Sequence, residues 1–331
     1  MKRRVSSLLA EWYARGHRDL PWRRTADPYR IWVSEIMLQQ TRAAAVVPYY
    51  RRFLERFPTI EALADAAEPE VLALWSGLGY YSRARNLLRA ARQIAALGTF
   101  PRQYDELRQF AGIGDYTAAA VASIAFGEPR AVLDGNVLRV VARVENDAGD
   151  IRSPKTRARF RAVAQGWLER RHPGGFNQAL MELGATVCLP RRPLCPECPL
   201  RGQCQARQRG TAGQLPVKLG TAQPERIEAE LLLVRRGRRI LLRQRPATES
   251  RMAGFWDLPG PEHLPDAASG ADIGQFRHTI THHHYTFTVK AARAPKCLPG
   301  GALFRWLEPS EADDIPLSTT ARKALRLAEL L

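Results

Sequence analysis

Four cysteines lie close together in the chain, and their types and spacing suit the binding of a metal centre. Six, two and five residues separate them, so their thiolates can surround one centre, as in iron–sulfur and structural zinc sites. Structural zinc sites usually have two tight pairs, and here only the middle pair is a C-x-x-C, which favours an iron–sulfur cluster. Ordinary buried thiols are a third reading, but the loop also holds four prolines and would build no packed core. The cysteines are Cys188, Cys195, Cys198 and Cys204.

A carboxylate in an apolar stripe is the next candidate for chemistry. The sequence predicts a helix over residues 30–41, on which Ile31, Glu35 and Leu38 share one face. Burial raises the pKa of a carboxylic acid, so Glu35 would keep its proton near neutral pH, as a general acid requires. A buried glutamate paired with an arginine is an equally ordinary structure, and both readings stay open.

Two further candidates lie where predicted helices begin. Residues 107–117 predict a helix end, a tight turn with Gly112 and Gly114, and the start of an alanine-rich helix. The close backbone and the free N–H groups of that helix would bind an anion such as phosphate, and a plain helix-to-helix turn is the alternative. Asp134 stands just before a predicted helix over residues 137–144, and as a residue pattern alone it is best explained as an N-cap.

Helices must position most of these side chains. Residues 5–187 are rich in Ala, Leu and Arg, and their apolar residues recur every three or four positions, which predicts an all-α region. Residues 205–225 have no period and are rich in Gln, Gly and Pro, which indicates a linker. The chain is therefore expected to consist of a domain over residues 1–204, the linker, and a domain over residues 226–331.

The second domain has the patterns of a small α/β fold. β-rich or alternating segments predict strands, and a final amphipathic segment predicts a helix. The strands are expected at residues 227–234, 239–243 and 285–291, a turn at the end of residues 256–261, and the helix over residues 318–331.

Charge and composition restrict the partners. The net charge is +17 over 331 residues, and residues 1–224 hold 34 Lys and Arg against 20 Asp and Glu. This excess is typical of a protein that binds a polyanion, although a solvated basic surface without a partner would look the same. No apolar run reaches the ~18 residues of a membrane span, and no signal peptide is recognisable. Five cysteines, four of them clustered, suit a reducing compartment. We expect a cytoplasmic, nucleoid-associated monomer without membrane contact.

Several motifs together match one family. The motifs are L-P-W-R at 20–23, D-P-Y-R-I-W-V-S-E-I-M-L-Q-Q-T at 27–41, G-L-G-Y-Y-S-R-A-R-N-L at 77–87, the glycine turn at 107–117, L-D-G-N-V at 133–137, and F-N-Q-A-L-M-E-L-G-A-T-V-C at 176–188. With these motifs the chain resembles the adenine DNA glycosylases of the MutY type, in the helix-hairpin-helix, iron–sulfur glycosylase superfamily, over nearly all of residues 1–204. The resemblance implies a multidomain protein: an all-α helix-hairpin-helix glycosylase domain with a [4Fe-4S] cluster loop, followed by a small α/β Nudix-like domain.

The resemblance implies a role for each matching residue. Glu35 matches the general acid that protonates N7 of adenine, and Asp134 matches the carboxylate that stabilises the sugar cation, in parallel with glycoside hydrolysis. Tyr116 and Asn136 match residues that position this pair. Further matches are Trp22, Arg23 and Gln178 near the extruded adenine, Gln40 and Tyr80 as a wedge in the duplex, Gly112 and Gly114 at a phosphate, and Cys188, Cys195, Cys198 and Cys204 as ligands of the [4Fe-4S] cluster.

The implied substrate is double-stranded DNA that contains adenine opposite 8-oxoguanine or guanine. Tyr116 stands where related glycosylase/lyases carry a lysine, so the expected enzyme is monofunctional. The segments R-Q-R-P at 243–246 and G-F-W-D-L-P-G at 254–260 fit the lesion-recognition domain, and no R-E-x-x-E-E helix follows Gly260, so phosphohydrolase activity is not expected. Thr281 and His282 match two residues of the lesion-sensing loop, in which Ile280 replaces a phenylalanine. The alternatives are an endonuclease III-like glycosylase for another base and a non-catalytic DNA-binding protein.

Overall fold

The computed structural model describes residues 2–220, 225–246, 248–249, 252–280, 283–300 and 303–331. Helices joined by loops follow one another up to residue 208, which confirms the predicted all-α region. The helices are α1 (Lys2–Arg15), α2 (Pro28–Leu38), α3 (Ala43–Arg56), α4 (Ile60–Ala64), α5 (Glu68–Trp75), α6 (Ser82–Ala96), α7 (Tyr104–Leu107), α8 (Asp115–Phe126), α9 (Gly135–Val144), α10 (Pro154–Trp167), α11 (Pro173–Thr186) and α12 (Gln205–Gln208).

The chain forms two compact units that do not follow its linear order. The second unit combines helical residues before position 89 with the C-terminal sheet: the Ser76 hydroxyl donates to the Leu317 carbonyl (2.7 Å), and the rings of Tyr81 and Phe255 lie 4.0 Å apart. The expected domains over residues 1–204 and 226–331 follow the order of helices and strands along the chain, and their boundaries stay a prediction. The first unit comprises Met1–Tyr50, Thr59–Glu61 and Arg89–Thr221, and the second Arg51–Pro58, Ala62–Leu88 and Ala222–Leu331.

Helix α9 is the centre of the first unit. Every residue from Val137 to Val144 is buried, and α10, α11 and α12 pack against the helix. Each valine or leucine buried in this way stabilises the fold by about 1.5–3 kcal/mol. Two of the buried residues, Arg139 and Arg143, are charged, so their guanidinium groups need hydrogen-bond partners inside the protein.

The second unit contains a sheet of strands β1 (Glu225–Arg236), β2 (Arg239–Gln244), β3 (Trp256–Asp257), β4 (Ala268–Ile280), β5 (His283–Arg293) and β6 (Leu303–Leu307). The strand order is β3-β2-β1-β5-β4, and β6 pairs with β2. The pair β1 and β5 is parallel, with Leu231 opposite Val289, and the other pairs are antiparallel. The C-terminal helix α13 (Thr319–Leu327) is capped by Ser318, whose side chain accepts a hydrogen bond from the Ala321 N–H.

The predicted strands at 227–234, 239–243 and 285–291 are confirmed as parts of β1, β2 and β5, and the predicted C-terminal helix is α13. The sequence did not reveal β4 or β6. The first half of β4 holds Gly270, Asp272 and Gly274 and is mostly exposed, so it lacks the apolar alternation of a strand and depends on pairing with β5. β6 has five residues, too few to show a period.

Part of the expected linker is ordered within the first unit. Residues Gln205–Gln208 form α12, Ala206 and Leu215 are buried, and the Ile151 N–H donates to the Val217 carbonyl (3.1 Å). The polar composition of residues 205–220 therefore reflects an irregular segment that packs on helices, and not a free connection. Across the described ranges, we find no helix with the length and apolarity needed to cross a membrane.

Candidate active site

Helix α2 carries Glu35 into the protein interior. The Asp27 side chain caps the helix by accepting hydrogen bonds from the N–H groups of Tyr29 and Arg30, and Pro28 occupies its first position. Glu35 is 4% exposed, which confirms the predicted burial of this carboxyl. Burial raises its pKa from 4.5 to about 7; the Asp134 carboxylate adds to this rise, while the hydrogen bond from Tyr116 and the charge of Arg23 oppose it.

Asp134 both caps α9 and lines the same cleft as Glu35. The N-cap interpretation and the catalytic interpretation of this residue are therefore compatible. Its Oδ1 accepts from the Val137 N–H (2.7 Å) and its Oδ2 from the Asn136 side-chain amide (2.8 Å). Burial raises the pKa of Asp134, and these hydrogen bonds counteract the rise because they stabilise the charged form.

Tyr116 lies in the first turn of α8, after the glycine turn. Its hydroxyl donates to Glu35 Oε2 and also lies 3.2 Å from Met181 Sδ. Gly112 adopts φ +77°, a conformation that favours glycine, and Gly114 is the N-cap of α8 but supplies no side-chain acceptor. The first N–H groups of α8 therefore have no side-chain cap, as expected for an anion site at this turn.

One open cleft of about 1,460 Å³ in the first unit brings most of the predicted site residues together. Basic side chains outnumber acidic ones along its walls, which gives it a positive potential. The predicted residues in its lining are Trp22, Arg23, Glu35, Gln40, Gly112, Gly114, Tyr116, Asp134, Asn136 and Gln178, and the basic ones are Arg18, Arg23, Arg42, Arg108, Arg152, Arg157 and Lys218.

Tyr80, one of the predicted DNA-binding residues, is not in the lining of this cleft. Tyr80 belongs to the second unit, where it is 43% exposed, adopts φ +50° and has the Arg83 guanidinium 5.4 Å from its ring centre. Thr281 and His282 lie outside the described residues. Their expected contact with a lesion stays a prediction.

The structure adds an ion-pair network that residue patterns did not single out. Glu182 on α11 is 2% exposed and accepts hydrogen bonds from Arg23 Nη2 (2.7 Å) and from Arg18 Nε (2.9 Å) and Nη2 (2.6 Å). Burial alone would raise the pKa of Glu182, but the two arginines outweigh it and lower the pKa to about 2. The carboxylate therefore holds two cleft arginines in place. Glu182 lies 159 residues from Arg23 along the chain, so spacing in the sequence could not reveal this ion pair.

We expect Glu182→Gln to lower the free energy of unfolding by about 2–4 kcal/mol at pH 7, because it leaves two arginines without their buried counter-charge. The folded-state pKa lies below 4.5, so this stabilisation is present above pH 4.5 and is lost as the pH falls toward 2. Urea unfolding at pH 7 and pH 3 measures both effects. The control is Asp19→Asn, which removes an exposed ion pair with Arg24 and should leave the free energy of unfolding almost unchanged. Equal losses for both variants would contradict the role of Glu182.

The two buried arginines of α9 connect the cleft to the cysteine segment. Arg139 Nη2 donates to Asn136 Oδ1 (2.9 Å), and its Nε donates to the Cys188 carbonyl (2.7 Å). Arg143 Nη1 donates to the Leu189 carbonyl (2.7 Å) and to Cys188 Sγ (3.3 Å). These bonds satisfy the buried guanidinium groups and tie the first cysteine to the central helix.

The four cysteines line one small cavity of about 20 Å³, together with apolar side chains such as Val140, Leu183 and Leu200. Within the described part of the chain, no three Cys, His, Asp or Glu side chains are grouped so that they could hold a single metal ion. The donors are thus four thiols around an apolar space, with no carboxylate or imidazole among them.

Comparison with known proteins identifies both parts of the chain. The family model for HhH-GPD superfamily base excision DNA repair proteins matches residues 33–165, and a NUDIX domain model matches residues 230–327. The chain is 34% identical to human adenine DNA glycosylase over 96% of this chain and 73% of the relative. The mouse adenine DNA glycosylase is 35% identical over 98% and 77%, respectively. The chain belongs to the adenine DNA glycosylase family. It is a DNA glycosylase, and the resemblance found in its motifs is confirmed.

Solved structures agree on the helical fold of this family member. A thermostable thymine-DNA glycosylase matches with a TM-score of 0.57 and 29% identity, over 63% of this chain and 97% of that chain. Endonuclease III in a non-covalent DNA complex matches with a TM-score of 0.53 over 63% and 98%, and at 22% identity this shows the fold alone. The predicted fold class, a helix-hairpin-helix glycosylase region followed by a small Nudix-like sheet domain, is therefore confirmed.

Proposed function

We propose that this chain removes adenine paired with 8-oxoguanine or guanine from double-stranded DNA by hydrolysing the N-glycosidic bond. The observation that carries the proposal is Glu35, a fully buried carboxyl with a pKa of about 7 that lies with Asp134 in a basic cleft. The curated relatives named above are adenine DNA glycosylases, which supports adenine as the base. The basic lining of the cleft supports DNA as the polyanion.

Glu35 acts as the general acid in this mechanism. Adenine is a poor leaving group as an anion, and a proton on N7 lets it leave as a neutral base. With a pKa of about 7, about half of the Glu35 carboxyls carry a proton at neutral pH and are acidic enough to give it up. As the bond between C1′ and N9 breaks, its electron pair goes to the base and the proton goes from Glu35 to N7.

Asp134 stabilises the cation that this step leaves on the sugar. The Val137 N–H and the Asn136 amide hold its carboxylate oxygens in place, so no reorganisation is needed as charge develops at C1′. Water then adds to C1′, and the proton that it releases restores the acid form of Glu35. The same division between a proton donor and a charge stabiliser operates in glycoside hydrolysis.

The extruded adenine is bound by the walls of the cleft. Trp22 and Gln178 offer a ring face and an amide, and Arg23, held by Glu182, lies near the acid. Gln40 and Tyr80 both have left-handed backbone conformations, with φ +56° and +50°. Both side chains are exposed, which suits residues that fill the gap left by a flipped base.

The two domains share recognition in this proposal. The domain over residues 1–204 holds the duplex through its basic cleft and the N–H groups at Gly112 and Gly114, and the domain over residues 226–331 reads 8-oxoguanine with Thr281 and His282. Tyr116 has no amine to form a Schiff base, so the reaction ends at the abasic site.

A [4Fe-4S] cluster fits the cysteine site better than zinc. In a cubane cluster each iron takes one thiolate, so the sulfurs surround a space, whereas the ligands of a zinc ion converge on one point. Four cysteines around an apolar cavity, one of which accepts a hydrogen bond from Arg143, suit the cluster. Cys188, Cys195, Cys198 and Cys204 would hold it, and its contribution would be to order the loop between them.

We expect the purified protein to be yellow-brown and to contain about four irons per chain. Cys198→Ser should lose the visible absorption and most of the iron, because a hydroxyl is a poor ligand for iron in a cluster. Cys297→Ser removes an exposed cysteine and should keep both. Metal analysis by mass spectrometry with absorption spectra provides the measurement, and one zinc per chain without iron would contradict the cluster.

The decisive test is single-turnover excision on matched duplexes. With enzyme in excess, we expect release of adenine opposite 8-oxoguanine and guanine, and little release of adenine opposite thymine. Borohydride should trap little covalent complex on abasic DNA. Release of thymine or a damaged pyrimidine instead of adenine, or efficient trapping, would favour the endonuclease III-like reading, and binding without release would favour a DNA-binding protein.

A further inference from the structure

Met181 on α11 offers a second acceptor to the hydroxyl that holds the catalytic acid. The Tyr116 hydroxyl donates to Glu35 Oε2 and lies 3.2 Å from Met181 Sδ. A phenol carries one hydrogen and can give it to one of these acceptors at a time, and a thioether sulfur accepts but cannot donate. The geometry therefore provides two positions for one hydrogen.

The charged groups around this hydroxyl come from four parts of the first unit. Glu35 lies on α2, Asp134 precedes α9, and Arg23 follows α1. The fourth group, Glu182 on α11, is the residue after Met181 and pairs with Arg23. Burial raises the pKa of Tyr116 well above 10, so the hydroxyl keeps its hydrogen over the working pH range. Only the direction of the O–H bond can change.

We infer that Met181 is a positioning residue that stabilises the protonated form of Glu35. When Glu35 carries its proton on Oε2, the carboxyl O–H donates to the Tyr116 oxygen, and the Tyr116 O–H turns to Met181 Sδ. When the proton is on Oε1, from which it can be given to a base, the Tyr116 O–H still donates to Oε2. When the proton leaves, the Tyr116 O–H turns back and donates to the carboxylate. No bond of the tyrosine breaks, and the single proton that departs is the one on Glu35. The inference rests on the proposed function in one point only, which is that adenine N7 receives the Glu35 proton.

The sulfur raises the proton affinity of Glu35 because it accepts the Tyr116 hydrogen bond only when Glu35 is protonated. Without it, the arrangement with the proton on Oε2 leaves the Tyr116 O–H without its sulfur acceptor, so the protonated state loses one of its two arrangements. The carboxylate state loses nothing, because there the hydroxyl donates to Glu35. Removing the acceptor should therefore lower the pKa of Glu35, by roughly half a pH unit for a weak acceptor of this kind.

Met181→Leu tests this inference because it keeps the volume and removes the acceptor. The Glu35 carboxyl is titrated by infrared difference spectroscopy, with Glu35→Gln as the reference that isolates its signal. We expect the titration midpoint to fall by about half a pH unit in Met181→Leu. In Met181→Gln, where an amide oxygen replaces the sulfur, the midpoint should return to the wild-type value or exceed it.

A double-mutant cycle separates the hydrogen bond from packing. In a Tyr116→Phe background there is no hydroxyl to donate to the sulfur, so Met181→Leu should leave the midpoint unchanged. An equal shift in both backgrounds, or no shift in either, would overturn the inference. The infrared signal reports protonation whether or not adenine is released, so failure of the proposed function would leave this result readable. If adenine is released, the fall of the excision rate with pH should begin about half a unit lower in Met181→Leu.

Discussion

Glu35→Gln is expected to lower the single-turnover rate of adenine excision by about 10²–10⁴-fold, the usual contribution of a general acid. Glutamine keeps the shape of the side chain and removes the proton. In the wild type only the acid form is active, so the rate should be flat at low pH and fall about tenfold per unit above a pKa of about 7. Rates measured between pH 5 and 9 should show this limb in the wild type and not in the residual rate of the variant.

The same substitution should raise stability, which distinguishes lost chemistry from lost folding. The pKa of Glu35 is higher in the folded protein than its usual 4.5, so the folded state is progressively penalised as the pH rises from 4.5 to 7. Glutamine avoids this penalty, and we expect Glu35→Gln to be more stable by up to about 3 kcal/mol at pH 8 and by much less at pH 5. Near-wild-type excision by Glu35→Gln would remove Glu35 from the mechanism.

Asp134→Asn is expected to lower the excision rate by about 10²–10³-fold while leaving the fold almost as stable as before. The change removes the negative charge that stabilises the sugar cation in the proposed mechanism, but asparagine is as good an N-cap as aspartate, so the bond to the Val137 N–H can remain. Single-turnover rates and urea unfolding of the same variant give the two values.

Asp134→Ala is the matched control for the capping role. It removes both the charge and the cap of α9, so it should lose as much activity and also about 1 kcal/mol of stability. If Asp134→Asn kept full activity while Asp134→Ala lost it, the cap and not the charge would explain the requirement for this residue.

The sequence by itself was enough to predict the helices and to single out ten of the residues that line the cleft. Periodicity within one helix showed that Glu35 lies on an apolar face, and the position of Asp134 before α9 showed a cap; both depend on neighbours a few residues away. The cysteine spacing likewise limited the expected site to a few kinds of metal centre, because the four cysteines lie within a stretch of seventeen residues. The strand β4 was missed because its first half has no apolar alternation and forms through pairing with β5.

Only the tertiary structure decided what surrounds the acid. The sequence left two possibilities for Glu35: an ion pair with an arginine, or a carboxyl that keeps its proton near neutral pH. Glu182 binds Arg23 and Arg18, so these arginines are already paired. The Glu35 carboxyl instead accepts a hydrogen bond from the Tyr116 hydroxyl, which also contacts Met181. These partners are 65 to 164 residues apart along the chain. Local patterns record which face of a helix is buried, but a pKa depends on every charge and hydrogen bond within a few ångströms, and those are assembled only when distant helices pack.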